Sequence, residues 1–182
     1  MSASIARRYA KAIVGVAQEQ NTLEQTGDEL RVLGALAADP QIAQSLANPL
    51  LSGAARRGLA SAIAEQLTLQ AIMRNFLCLL ADHRRLDQLV GIADQYQKIV
   101  DGMLGRVRAT IASSAPLSAG QTQAVIDALA RVSARTVLAE QSVDPALLGG
   151  VVVDVEGTVY DGSLRTQLEA LATRIAGGRS LL

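Results

Sequence analysis

The side chains that could carry chemistry are few, and their spacing keeps them from cooperating. His83 is the sole histidine, set among Asp82, Arg84 and Arg85 at a polar break, with no partners to complete a metal site. Cys78 is the sole cysteine and has no histidine at helical spacing to activate it, so it reads as a small apolar side chain. A single cysteine also excludes an internal disulfide and fits a reducing compartment. Gly149-Gly150 ahead of an apolar run imitates a phosphate cradle, but a P-loop needs a lysine that does not follow here. Asp161-Gly162-Ser163 imitates a nucleophile turn without the flanking Gly-x-Ser-x-Gly pattern. Gly149, Gly150, Asp161, Gly162 and Ser163 are therefore expected to be turn and cap residues, glycine supplying the positive φ such turns need. No catalytic residue, metal or cofactor is expected. A nucleotide-binding enzyme built around Gly149-Gly150 is the weaker alternative to a protein-binding adaptor.

Charge narrows the classes further. The chain carries 17 basic and 17 acidic residues for a formal net charge of zero, whereas nucleic-acid binding draws its affinity from a basic excess. Arg7-Arg8, Arg56-Arg57 and Arg84-Arg85 fall on separate elements without interleaved aromatics, so no nucleic-acid partner is expected. No apolar run approaches the ~18 residues that span a bilayer. At the N-terminus Lys11 interrupts the apolar stretch and leaves only Ala12 to Ala17, short of a signal-peptide core. This segment is expected to be an amphipathic helix of a soluble, cytoplasmic protein.

The elements that must position these residues separate by period. From the start to Gly105 the apolar spacing is helical. Ile5, Tyr9, Ala12, Ile13 and Val16 mark a first helix. Thr22 and Gln25 form the pattern of a capping box before a second, with Leu23, Leu30, Leu33 and Ala37 inward, ending at Asp39-Pro40. A short helix carries Ile42 and Leu46. A fourth follows Ser52 with Leu59, Ile63 and Leu67 inward. Thr68 is expected to cap the fifth, whose inward set is Leu69, Ile72, Met73, Phe76, Leu77 and Leu80. The sixth holds Leu86, Leu89, Val90, Ala93, Ile99, Val100 and Met103. Short connections between them imply a compact antiparallel bundle.

Beyond Gly105 the period changes to two. Val107, Ala109 and Ile111 alternate with Arg106, Arg108 and Thr110, the pattern of a strand with one wet face. Ser118 with Gln121 forms a second capping box, opening a helix with Val125, Ile126, Leu129 and Val132. Strands are expected at 136–143, 151–155 and 158–160, the last two joined by a Glu156-Gly157 turn. A final helix should turn Leu164, Leu168, Leu171 and Ile175 inward. The fold class is thus mainly α, a six-helix bundle over 1–105 followed by a small α+β domain over 106–182.

Two helices carry more apolar surface than one core stripe requires. On the first, Ile5, Tyr9, Ala12 and Val16 form a core row, and Ala6, Ala10, Val14 and Ala17 a second row of small residues. On the fifth, Ala71, Asn75, Cys78 and Leu79 lie behind the large inward set. Such helices are either central in the bundle or line a groove for a partner helix, since small side chains permit close approach.

Specific segments then narrow the reading. Arg8-Tyr9-Ala10-Lys11-Ala12, Asn75-Phe76-Leu77 through Leu80, Arg85-Leu86 with Tyr96, and above all Asp144-Pro145-Ala146-Leu147-Leu148-Gly149-Gly150 followed by Asp161-Gly162-Ser163-Leu164-Arg165 resemble the delta subunit family of F-type ATP synthases, the oligomycin-sensitivity-conferring protein of mitochondria. The motifs occur in order along nearly the whole chain. Asp154 and Glu156-Gly157 depart from the family pattern, in side-chain charge and in the place of the turn glycine. The resemblance implies a non-catalytic stator subunit of the peripheral stalk. Its bundle would bind the N-terminal helix of an alpha subunit in a groove between the first and fifth helices, lined by Ala6, Tyr9, Ala10, Ile13, Val14, Ala17, Ala71, Asn75, Cys78 and Leu79. Its second domain would bind the b subunits. One copy per complex is implied, held on the cytoplasmic face of the bacterial inner membrane only through the assembly. A helical adaptor outside the synthase is the other reading.

Overall fold

The structure, a computed structural model, describes residues 2–48 and 50–168. Six α-helices come first: α1 (Ser2–Glu19), α2 (Leu23–Ala38), α3 (Pro40–Ala47), α4 (Gly53–Gln66), α5 (Ala71–Asp82) and α6 (Leu89–Met103), with a 3-10 turn at Leu86–Gln88 before α6. Then follow β1 (Arg106–Ser113), α7 (Ala119–Ser133), β2 (Thr136–Val143), β3 (Val151–Val155) and β4 (Thr158–Asp161). Residues 164–168 are helical. A bundle of helices followed by a small mixed sheet is the architecture that the change of period implies. The chain forms two compact units that divide between Val100 and Asp101, in the last turn of α6 and ahead of Gly105. Asp101 belongs to the second, where its buried carboxylate accepts a 2.7 Å hydrogen bond from Arg108 Nε on β1.

Small residues set how closely the first unit's helices approach. A Cβ on Gly91 of α6 would meet Ala6 Cβ at 3.3 Å, and one on Gly34 of α2 would meet Ala93 Cβ at 3.0 Å. Gly27 lies against the Tyr96 ring, where an added Cβ would stand 3.3 Å from Cε1. Tyr96 is buried and donates its hydroxyl to the Leu23 carbonyl at 2.8 Å. Burial pushes its pKa up to about 12, a hydrogen bond with Thr26 opposing the rise. Leu30, Leu33, Met73, Leu77, Leu80, Leu86, Leu89 and Ile92 are buried in the same cluster.

Helix ends depart from expectation in two places. Thr22 precedes α2 but makes no side-chain cap bond; its hydroxyl instead reaches back to the Ala17 carbonyl. Thr68 does not cap α5, which begins after Gln70. Thr68 closes α4 in the left-handed region (φ 49°), its N–H bonding Glu65 O while that of Leu69 bonds Ala64 O. Asn21 and Arg84 end α1 and α5 in the same way, at φ 56° and 57°. Each is a Schellman closure, which returns donors to the last free carbonyls of a helix. Two further expected core residues, Val90 and Met103, are exposed.

In the second unit the strand order is β2-β1-β3-β4, with β1 parallel to β2 and antiparallel to β3, and β3 antiparallel to β4. The alternation on β1 holds: Val107, Ala109 and Ile111 are buried, while Arg108 and Thr110 are exposed. The capping box at Ser118–Gln121 forms in full. At the β3–β4 turn Glu156 and Gly157 both take positive φ, 51° and 89°, which suits the twist of a two-residue hairpin. Asp154 accepts the Gly157 N–H at 2.8 Å, so both departures from the family pattern serve one turn. Leu164 and Leu168, expected inward, are 47% and 63% exposed, because helical residues 164–168 leave that row uncovered by the other described residues. Leu171 and Ile175 lie outside the described residues.

Candidate functional site

The expected groove residues do not all gather on one surface. Ala6, Ala10, Ile13, Val14 and Ala17 are buried, so the small row of α1 faces the bundle. The reason is the Gly91 contact. Small residues do admit a close helix here, and that helix is the chain's own α6. The larger row, read from spacing as core, is the outer one: Ile5 and Tyr9 are half-buried, Ala12 and Val16 exposed. The two rows of α1 therefore exchange roles relative to the sequence reading.

On α5 the expected set splits between two flanks. At about 100° per residue, Leu79 falls beside Ile72 and towards Phe76, Ala71 and Cys78 fall on the other flank, and Asn75 stands between the two. Cys78 turns towards α4, its Sγ 4.0 Å from Ser61 Oγ. Asn75 and Leu79 are exposed, Leu79 at 45%. The α1 and α5 rows meet where the Tyr9 and Phe76 rings pack edge to face, centroids 6.4 Å apart. What results is an apolar strip with Tyr9 and Phe76 at its floor, Ile5, Ala12 and Val16 on one side, and Ile72 and Leu79 on the other. Arg8 stands at its edge, guanidinium 5.6 Å from the centre of the Tyr9 ring. Interior glycines were the signal that could have assigned the rows correctly, because a glycine inside a helix often marks where another helix comes close.

The turn residues of the second unit do come together. The Gly162 N–H donates to Val151 O at 2.9 Å and the Leu164 N–H to Gly149 O at 3.0 Å. A Cβ on Gly150 would stand 2.4 Å from Gly162 O, and one on Gly149 would stand 2.7 Å from Leu164 Cδ1. Positive φ at both, 82° at Gly150 and 152° at Gly149, adds to the requirement for glycine. Asp161 accepts the Ser163 N–H and the Thr166 hydroxyl, each at 2.8 Å. The Ser163 N–H bond first, then the Thr166 and Ser163 hydroxyls, hold its carboxyl below the usual range. Ser163 Oγ in turn accepts the Thr166 N–H at 3.3 Å, which makes it a helix cap. These bonds fully occupy the motif in joining chain to chain.

His83 is an exposed residue closing α5. No group of histidine, cysteine and carboxylate side chains among the described residues could hold a metal. No helix among them is long and apolar enough to cross a membrane. The second unit instead presents an apolar cavity of about 460 Å³, lined by Val107, Val125, Leu129, Val132, Val155 and Tyr160 among others. Val132 is 77% exposed at its rim.

The α1–α5 strip and the cavity of the second unit are apolar surfaces, and the glycine junction is internal to the fold. Residues 5–175 match the family model described as ATP synthase delta (OSCP) subunit. ATP synthase subunit delta of Anaeromyxobacter sp. (strain K) is 45% identical over 169 residues, 92% of this chain and 94% of that protein. That of Desulfosudis oleivorans is 34% identical, over 96% of each chain. In fold, the chain resembles one in the cryo-EM structure of the Toxoplasma gondii mitochondrial ATP synthase hexamer, with a TM-score of 0.67, 23% identity and coverage of 94% and 97%. The chain belongs to the ATP synthase delta (OSCP) subunit family, and it is a structural, non-catalytic subunit of the peripheral stalk of an F-type ATP synthase.

Proposed function

We propose that the α1–α5 strip receives the N-terminal helix of an alpha subunit, and that the second unit binds the b subunits of the stalk. The bundle and the α+β domain then have separate partners, divided near residues 101–105. One copy, held at the cytoplasmic face of the bacterial cell membrane through the complex, would resist the torque that rotation places on the catalytic head. The observation that carries the reading is the strip itself. Ala12, Val16 and Leu79 are exposed and Ile5 and Ile72 half-buried, beside a buried cluster that includes none of them. Helix-in-groove recognition uses such a surface, with anchors on the incoming helix at three- and four-residue spacing. For the second unit, support comes from α7, which contributes no buried residue, and from the apolar cavity beside it.

The test separates the two surfaces in the full-length chain. Val16→Glu and Leu79→Glu should abolish binding of a synthetic alpha N-terminal peptide while the melting profile stays unchanged, since both residues are exposed. Val132→Glu should reduce capture of b from solubilised complex and leave peptide binding intact. Tight peptide binding by Val16→Glu would mean that the strip is not the groove.

A further inference from the structure

The α1–α5 strip is apolar along its floor and walls, yet its surroundings are not electrically neutral. Helix α1 carries Arg7, Arg8 and Lys11 against a single acid, Glu19, and all four are exposed. On α5 the charges are Arg74 and Asp82, and Asp82 lies 3.7 Å from Arg57 of α4. Among the described residues, Arg7, Arg8, Lys11 and Arg74 have no carboxylate within ion-pair distance. Only Arg8 borders the strip. It is three residues beyond Ile5 and four before Ala12, on the edge of the same helix face. Arg7 and Lys11 fall towards the opposite flank. The Tyr9 ring beneath the Arg8 guanidinium limits where that cation can go.

We infer that the strip selects a helix bearing a carboxylate beside its apolar stripe, and that Arg8 is the residue that reads it. This rests on the proposed α1–α5 docking. An apolar strip alone accepts an amphipathic helix in either direction and in several registers. One cation held over Tyr9 near the N-terminal end of α1, with no acid within ion-pair distance among the described residues, breaks that symmetry: it favours the direction and register that bring an acid over Tyr9. A charge at an edge contributes more to choice and encounter than to affinity. Arg8 is thus a specificity determinant, with Tyr9 as its support.

The experiment titrates the full-length chain against a labelled synthetic alpha N-terminal peptide, and against the same peptide with Asp and Glu changed to Asn and Gln. Arg8→Gln should weaken binding of the acidic peptide by about two- to fivefold at low salt, and the difference should shrink as salt rises. The amide peptide should bind wild type and Arg8→Gln alike. Arg131→Gln, an equal charge change on α7, serves as the control and should leave both unchanged. If Arg8→Gln binds as wild type does, or Arg131→Gln weakens binding equally, the selection by Arg8 is wrong although the groove stands. Undiminished binding by Val16→Glu would remove the groove and this inference together.

Discussion

In the first unit α1, α2 and α6 close on one another through Ala6, Gly34, Gly91 and Ala93, and α5 seals the interior with Met73, Phe76, Leu77 and Leu80. In the second, the buried cluster among the described residues is Val107, Ala109, Ile111, Val137 and Val153, all from the sheet. Helix α7 packs on it only with half-buried side chains such as Val125, Ile126 and Leu129. The first unit's apolar strip, the proposed groove, lies beside an extended buried cluster. The second unit's apolar surface is the part of its own core that the other described residues leave uncovered. A partner on the first would change affinity without changing its fold stability beyond mass action, whereas a partner on the second would complete its packing.

The largest test of that contrast is a pair of truncations. Leu77→Ala removes a fully buried side chain and should cost the first unit about 2–5 kcal/mol. Leu129→Ala removes a half-buried one and should cost the second about 1 kcal/mol. Site-resolved hydrogen exchange under denaturant separates the two units. Equal losses would break the comparison.

Gly150→Ala comes next. The new Cβ would meet the Gly162 carbonyl at 2.4 Å, backbone against backbone, at φ 82°. Steric overlap and left-handed strain together should cost about 2–4 kcal/mol, read as early exchange of the β3 and β4 amides. Gly120→Ala on α7, where a Cβ meets nothing, should be neutral or stabilising. If both alanines behave alike, the junction does not lock the second unit.

Tyr96 tests the completeness of the first unit through pH. Its folded pKa, raised to about 12 by burial, exceeds the ordinary value near 10, so the folded state prefers the protonated phenol. That contribution is fully present below pH ~10 and is lost as pH rises through ~12, about 3 kcal/mol in all. Denaturation midpoints should fall across that window for wild type and much less for Tyr96→Phe. Tyrosinate absorbance should show a late step near pH 12 from Tyr96, absent from the variant.

The same residues show how far the sequence could be read. Alternation on β1 and the Ser118–Gln121 box were legible because both depend on near neighbours. The two rows of α1 were not. Each has helical spacing and apolar character, and the choice between them turns on Gly91, some eighty residues away in the chain. Side-chain size argues for the larger row inside, but packing distance put the smaller one there. Ile92 and Tyr96 were passed over as core for a related reason. The Tyr96 hydroxyl needs a carbonyl at depth, and Leu23 provides it only after α2 is in place. Thr68 fits the pattern of a cap, yet the Schellman closure of α4 claims it first.

That closure provides the smallest test, and it sharpens the contrast at the level of single turns. Among the described residues the first unit places Asn21, Thr68 and Arg84 in the left-handed region, whereas the second places glycine at Gly105, Gly149, Gly150 and Gly157 there, beside Ala134 and Glu156. Thr68 is β-branched, the worst kind of residue for that region, so Thr68→Gly should relieve about 1–2 kcal/mol of backbone strain. Glycine's greater freedom in the unfolded chain returns part of that, leaving a net gain of about 0.5 kcal/mol. Asn21→Gly should gain almost nothing, because asparagine already visits the left-handed region. Denaturation midpoints that rise for Thr68→Gly but not for Asn21→Gly would show that the core, and not the turn, holds Thr68 where it is. Equal midpoints for both would place the strain elsewhere.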